Sequence, residues 1–326
     1  MKSKMVKTVS ELTPIFIKSK SFALFCHTQP DGDTVGSALA LAFALRKMGK
    51  TADVFCDEDI GEKLKIFVPN DEIKTVLPSK KYDVYVAIDC ADLSRIGAFE
   101  KDFSLAQNTV VIDHHLGRPF GKHCYIGDFS STAEIVFSLI KALNIELDTQ
   151  ISTMLYIGLI TDTGNFMHSN TNSNTFAVAG ELSKHGVKIP QLCRVFFRDT
   201  SIGRSKLLGK VLSKMRTFYD GKFCLIFVTE NDLKEFGLTQ DAAKNIVDNA
   251  INIKTALVGI SMVESGQNTF RVSIRGKDFE VRSIAERFGG GGHKFASGCV
   301  ISGFFEDVVD KLVRFVGERF EEDKII

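Results

Sequence analysis

Short unbroken apolar runs recur along the first half of the chain, and three of them stop abruptly at titratable residues. Ser21-Phe22-Ala23-Leu24-Phe25-Cys26 leads into His27, followed by Asp31 and Asp33. Val84-Tyr85-Val86-Ala87-Ile88 leads into Asp89, and Thr109-Val110-Val111-Ile112 leads into Asp113, His114 and His115. Runs without polar alternation read as strands buried on both faces, the habit of a parallel sheet. Between the first strand and another at 51–56 lies a small-residue and apolar stretch, 34–48, closed by Gly49 as a helix C-cap. Strand, helix and strand in that order predict a βαβ start and an α/β fold. Gly36 and Ser37 predict that this helix packs closely on the sheet.

Further on, the pattern predicts a short amphipathic helix at 8–20 and a helical turn at 62–67. A helix opens near Ser130 and runs to about 143, with Ser131 and Glu134 at capping-box spacing. The strongly apolar helix 151–160 ends in Thr161-Asp162-Thr163-Gly164. A charge there is costly unless it is paired or metal-bound. A helix at 172–185 follows, and then strand-helix alternation stops. The charged stretch 194–215 reads as a helical connector. The remainder predicts a smaller α/β unit, with strands at 223–228, 256–263 and 269–274, the last two joined by a hairpin turn at 264–268. Helices are expected at 241–251, 281–288 and 305–320. The division expected is a domain at 1–190, a connector at 191–217 and a second domain at 218–326.

Parallel strands bring their carboxyl ends to one edge, where open α/β sheets bind ligands. An Asp after one strand is ordinarily a helix cap or turn residue, but three such ends in one sheet gather His27, Asp31, Asp33, Asp89, Asp113, His114 and His115, with Asp162 as a further candidate. Carboxylates so concentrated repel one another and take raised pKa values unless cations sit among them. Asp oxygens and His nitrogens without cysteine favour Mn²⁺, with Mg²⁺, Fe²⁺ or Co²⁺ as substitutes. Two metals ~3.5–4 Å apart, bridged by a carboxylate, are a common device for displacement at phosphorus. The helix opening near Thr34 aims its N-terminus at this edge, which favours an anion. Asp92 reads as a helix cap or a partner of Arg95, and His123, His168 and His185 have no supporting cluster. In the second half, the run Gly289-Gly290-Gly291-Gly292-His293-Lys294 follows Arg271, Arg275, Arg282 and Arg287. Glycine amides can cradle a phosphate, and Arg275 can grip one with two parallel bonds.

Composition narrows the partners. The 326 residues, 44% hydrophobic and 25% charged, match an ordinary globular protein. No run is long enough to span a membrane, and the basic N-terminus lacks a following apolar signal core, so a cytoplasmic location without membrane partners is expected. A net charge of +1 argues against coating long nucleic acid and leaves room for a short anionic ligand. The seven cysteines, at 26, 56, 90, 124, 193, 224 and 299, form no C-x-x-C pair and read as small core residues.

His27-x3-Asp31-x-Asp33 with Gly36-Ser37, then Asp89, then Asp113-His114-His115, then 158–164 (GLITDTG) resemble motifs I to IV of the DHH phosphoesterases. The segment 289–298 (GGGGHKFASG) resembles the DHHA1 signature. The resemblance covers about residues 15–320, and it is nearest to the bacterial nano-RNase and pAp-phosphatase group. It implies a parallel-sheet DHH domain, a smaller α/β DHHA1 domain and an active site in the cleft between them. It further implies two Mn²⁺ ions, the first held by His27, Asp31 and Asp89. Asp33, Asp89, His114 and Asp162 would hold the second, with Asp89 bridging. His115 would act beside the scissile phosphate and Asp113 would orient a neighbouring histidine. Arg275, Gly290, Gly291, Gly292 and His293 would bind substrate. The activity implied is hydrolysis of short oligoribonucleotides to 5′-mononucleotides and of 3′-phosphoadenosine 5′-phosphate (pAp) to AMP. A phosphodiesterase for linear or cyclic dinucleotide signals is the alternative. A catalytically silent nucleotide sensor would have lost at least one ligand, and all are present. The resemblance also allows a homodimer.

Overall fold

The apolar runs of the first half pair in parallel, and every strand of that sheet points the same way. The computed structural model describes residues 3–115 and 117–325; Met1 and Lys2 of the basic N-terminus lie outside them. Among the described residues the first sheet contains β1 (Lys4–Met5), β2 (Ser21–Phe25), β3 (Thr51–Phe55), β4 (Ile73–Lys74), β5 (Val84–Ile88), β6 (Thr109–Asp113) and β7 (His123–Ile126). Their order is β1-β7-β6-β5-β2-β3-β4. Alternate residues face opposite sides of a strand. Accordingly Phe22, Leu24, Val84, Val86, Val110 and Ile112 enter one core, while Ala23, Phe25, Tyr85, Ala87 and Val111 enter another. Both faces are covered, so no polar alternation survives in these strands.

The strand order reverses once where it matters. From β2 the chain builds outward through β3 and β4, then returns to lay β5 on the other side of β2 and continues through β6 to β7. Neighbouring strands β2 and β5 therefore send their connections in opposite directions, and a crevice opens at their carboxyl ends. Helix Gly32–Lys47 is buried along almost its whole length, because helix Thr149–Asp162 covers it on the side away from the sheet. Gly36 serves that helix crossing, and not the sheet packing expected of it. A Cβ at Gly36 would collide with the Met154 carbonyl, and one at Gly158 would lie 2.6 Å from Asp33 Oδ1.

The chain divides into two compact units, Met1–Asp199 and Thr200–Ile326. The second unit carries a mixed sheet of β8 (Arg216–Phe218), β9 (Phe223–Val228), β10 (Val258–Glu264), β11 (Thr269–Gly276), β12 (Gly291–His293) and β13 (Ala296–Ser302). The order is β12-β13-β11-β10-β9-β8, with β9 and β10 parallel and the other pairs antiparallel. One face packs under helix Phe305–Glu322 through Val308, Val309, Leu312, Val316 and Phe320. On the other face Cys224, Ile226 and Val228 meet Leu207 and Val211 of helix Ile202–Ser213.

Several elements differ from expectation. The stretch 241–251 is broken, because Asn245 takes a φ of 59° between a 3₁₀ turn and the short helix Asp248–Ile251. Within the glycine run, Gly291–His293 form an edge strand paired with β13. Helix Glu230–Glu235 carried its own signal in the Thr229-x-x-Asp232 capping box. No helix among the described residues is long and apolar enough to cross a membrane.

Candidate metal centre

Each strand end at the crevice delivers its side chains by a different local device. After β2, Asp31 caps helix Gly32–Lys47, its Oδ1 accepting the N–H of Asp33 at 2.9 Å and of Thr34 at 3.1 Å. That cap starts the helix at Gly32, two residues ahead of the 34–48 expected. It also leaves Asp31 Oδ2 facing His27 Nε2 at 3.6 Å. Asp33 follows within the first helical turn and is fully buried. Its Oδ1 accepts from Ser37 Oγ at 3.1 Å and from the Ala133 N–H at 2.9 Å, and its Oδ2 accepts from the Thr132 N–H at 2.6 Å. Asp33 thus caps helix Thr132–Ala142 from a distant part of the chain. The expected Ser131–Glu134 box does not form. Ser131 Oγ has no hydrogen-bond partner, and Glu134 accepts instead from Ser130 Oγ at 2.5 Å and Asn174 Nδ2 at 2.6 Å.

Beyond β5, Asp89 is buried and adopts a φ of 61°. An L-residue in that left-handed region bears a cost of about 1–2 kcal/mol. Its Oδ2 lies 3.5 Å from His27 Nε2; its Oδ1 lies 3.6 Å from His114 Nε2, 3.3 Å from His115 Nδ1 and 2.8 Å from the donating Thr132 Oγ1. Beyond β6, Asp113 Oδ1 accepts from both the backbone N–H and the Nδ1 of His115, each at 2.9 Å. Asp162, the last residue of its helix, brings Oδ2 to 3.3 Å from His114 Nε2. Asp92 caps the turn Leu93–Phe99, accepting from the Ser94 N–H at 2.9 Å. Arg95 reaches His27 Nδ1, at 3.0 Å, and leaves Asp92 to its capping role.

The ring tautomers decide what this cluster can hold. His27 Nδ1 lies 2.7 Å from the Thr28 carbonyl and His114 Nδ1 lies 3.1 Å from the Phe129 carbonyl. A carbonyl only accepts, so His114 Nδ1 carries a proton and the neutral ring turns its Nε2 lone pair toward carboxylates, whereas His27 Nδ1 also meets the Arg95 guanidinium, which only donates. His114 Nε2 is buried without a hydrogen-bond partner. Lone pairs aimed at carboxylates repel, and two species relieve the repulsion, a proton on the ring or a cation between the donors. Protons answer first in the metal-free chain. Burial opposes a charged His27, but hydrogen bonds to Asp31 and Asp89 carry it up to about 10. Asp113 and Asp89 carry His115 up to about 11. Burial pushes Asp162 up to about 6, with Asp89 and Asp31 adding to it against the pull of His114. Burial and the charges of Asp89, Asp162 and Asp31 raise Asp33 well above the usual carboxylate range. Asp89 alone is held low despite its burial, by the hydrogen bonds of His115 and His27.

Divalent cations suit these donors, all oxygen or imidazole nitrogen. Three groups place one donor atom from each member within 4.8 Å of the others: His27, Asp31 and Asp89; Asp89, His114 and His115; Asp33, His114 and Asp162. Asp89 and His114 each belong to two of them. Thr132 and Arg95 are contacts at this centre that the sequence did not single out, Ser131 having the capping-box spacing and Arg95 standing within reach of Asp92.

In the second unit, cross-strand register pairs His293 with Ala296 on β13 and Ala296 with Arg275 on β11. Residues directly opposite one another share a sheet face, so His293 and Arg275 flank Ala296 on one face. Arg275 Nε lies 3.6 Å from Asp248 Oδ1. Gly292 has a φ of 142°, and Gly290 lies so close to β13 that a Cβ would strike the Gly298 carbonyl. Close strand packing accounts for these two glycines. Gly291 has open space where a side chain would go.

Comparison with known proteins identifies both parts of the chain. The DHH family N-terminal domain matches residues 21–159 and the DHHA1 domain matches residues 205–322. The chain is 32% identical over 304 residues to the bifunctional oligoribonuclease and PAP phosphatase NrnA of Thermus thermophilus, covering 90% of this chain and 88% of the relative. It is 25% identical to the protein of the same name from Bacillus subtilis, covering 92% and 93%. A solved structure of an exopolyphosphatase-related protein from Bacteroides fragilis superposes with a TM-score of 0.86 at 26% identity, covering 96% of each chain. With both domains matched in order and a relative this similar along most of its length, the chain belongs to the DHH family of phosphoesterases and carries a DHHA1 domain.

Proposed function

We propose that this phosphoesterase hydrolyses short oligoribonucleotides to 5′-mononucleotides and pAp to AMP, using two Mn²⁺ ions. The observation that carries the metal reading is the buried His114 Nε2, which has no hydrogen-bond partner and faces the carboxylates of Asp89 and Asp162. The two named relatives carry the substrate reading. His27, Asp31 and Asp89 are proposed to hold one ion, and Asp33, Asp89, His114 and Asp162 the other. Ions bound there would supply an activated water and stabilise charge on the phosphate oxygens. His115 is the proposed proton donor to the leaving oxygen. Asp113 holds its Nδ1, so Nε2 is the atom that gives the proton. Arg275, Gly290, Gly291, Gly292 and His293 are proposed to bind substrate, through the guanidinium, the ring and backbone amides. The reading assigns chemistry to a domain at 1–190 and nucleotide binding to one at 218–326. A cytoplasmic location and a homodimer complete it.

The test is a substrate panel of pAp, 5′-pApA, a pentaribonucleotide, cyclic di-AMP and pyrophosphate with Mn²⁺-loaded protein, run beside D89N. Turnover of pAp and the pentaribonucleotide, lost in D89N, is expected. If only the dinucleotides react, the substrate reading gives way to a signalling phosphodiesterase. Tight pAp binding without any turnover would make the protein a sensor.

A further inference from the structure

We propose that Thr132 is a positioning residue of the metal centre, its hydroxyl fixing the rotation of the Asp89 carboxylate so that the two oxygens serve different neighbours. The inference rests on the metal-dependent reading above.

Asp89 faces two ways. Its Oδ2 looks toward His27 and its Oδ1 toward His114 and His115. The backbone holds the residue in place, since the Asp89 N–H donates to the Ile112 carbonyl at 2.9 Å. A left-handed φ still leaves the carboxylate free to turn about its last torsion, which is broad and nearly two-fold. None of the imidazole contacts is shorter than 3.3 Å. Among the described residues, the 2.8 Å bond from Thr132 Oγ1 is the shortest contact to this carboxylate. Donation to Oδ1 occupies one lone pair on that oxygen, and His115 Nδ1 faces the same oxygen at 3.3 Å.

Thr132 is suited to this by its own fixation. It is fully buried and opens helix Thr132–Ala142, and its N–H binds Asp33 Oδ2. One residue therefore grips two of the acidic groups, Asp33 by its backbone and Asp89 by its side chain. A β-branched side chain has few χ1 choices, so the hydroxyl cannot drift once the helix end is docked. Outer contacts of this kind usually change metal affinity by ~10–100-fold when removed.

The experiment compares full-length wild type, T132V, T132S and D89N after chelator treatment. Mn²⁺ affinity is read by competition with a fluorescent chelating dye, and folding by circular dichroism and thermal melting. T132V keeps the shape and loses the hydroxyl. It should bind Mn²⁺ about 10–100-fold more weakly with an unchanged far-ultraviolet spectrum, while T132S, which keeps the hydroxyl, should bind close to wild type. Wild-type affinity in T132V overturns the proposal, as does equal weakening in T132V and T132S, which would assign the effect to the packing of the side chain and not to its hydroxyl. Should T132V fail to fold, T132A takes its place under the same criteria. If D89N binds Mn²⁺ as wild type does, the metal reading itself fails; a defect in D89N with none in T132V sinks only the role of Thr132.

Discussion

Asp33 and Asp232 are both carboxylates removed from water near the start of a helix, and they show two uses of a buried charge. Asp232 closes a capping box with Thr229, and it takes the ammonium groups of Lys210 at 2.7 Å and Lys214 at 3.4 Å. Burial would raise it, but Lys210 and the Thr229 contacts bring it down to about 2. Asp33 also has donors on both oxygens, yet its charged neighbours are other carboxylates, and it is pushed the opposite way. Satisfied hydrogen bonds are common to both sites, so the sign of the nearby charge separates them. A fold assembled for stability alone would resolve the crowding at Asp33 as it does at Asp232. Retaining it points to a centre that expects a cation.

The largest effect should come from the helix crossing that holds the acidic centre together. Asp33 and Asp162 lie on the two helices that meet where Gly36 faces Met154 and Gly158 faces Asp33. A backbone carbonyl cannot swing aside as a flexible side chain can. G36A should therefore lose about 3 kcal/mol in urea unfolding, and Mn²⁺ affinity should fall with it. Retained stability with lost metal binding would mean that the helices adjust and only the centre is displaced.

Next in size is Asp232 itself. D232N should cost about 2 kcal/mol, the scale of hydrogen bonds to a charged group, with turnover per folded molecule unchanged. Its folded pKa lies below the ordinary 3.8. The stability it contributes is therefore present above pH ~3.8 and lost as pH falls toward about 2. In D232N that part of the acid dependence should be missing from pH-resolved melts. If D232N is neutral, the ion pair only breaks even against its desolvation, and the contrast with Asp33 narrows to the active centre.

The features behind this contrast were unequally legible in the chain. The three strand ends were readable because parallel strands advertise themselves as unbroken apolar runs and because Asp or His at such an end is conspicuous. Asp162 was readable as a charge closing an apolar helix. The capping of helix Thr132–Ala142 by Asp33 was not, since the two segments lie about a hundred positions apart and the local Ser131–Glu134 spacing offered a plausible cap of its own. β7 was missed because His123, Tyr125 and Ile126 are only half-buried and imitate a loop. β13 had an alternating signal, with Ser297, Cys299 and Ile301 buried, but the segment was read for the phosphate-cradling amides of its glycines and not as a strand. Gly36 was correctly read as a close-approach residue and assigned to the wrong neighbour, because spacing within one helix does not say which element covers it.

The smallest effect should have the opposite sign. Asp162 reaches about 6 in the metal-free chain, so the folded state holds its proton more tightly than the unfolded state does. A raised carboxylate of this kind contributes stability below pH ~3.8 and loses it as pH rises through about 6. At pH 7 the ionised group is therefore a net burden on the chelator-treated protein. D162N removes that charge while keeping the shape, and it should raise the melting temperature slightly at pH 7, with the gain fading toward pH 4. Mn²⁺ should reverse the ranking, because ligand binding stabilises the wild type by mass action and the variant lacks a donor. A D162N protein that melts lower than wild type at pH 7 without metal would show His114 to be an ion-pair partner strong enough to satisfy Asp162. The acidic centre would then differ from the Asp232 site in degree only.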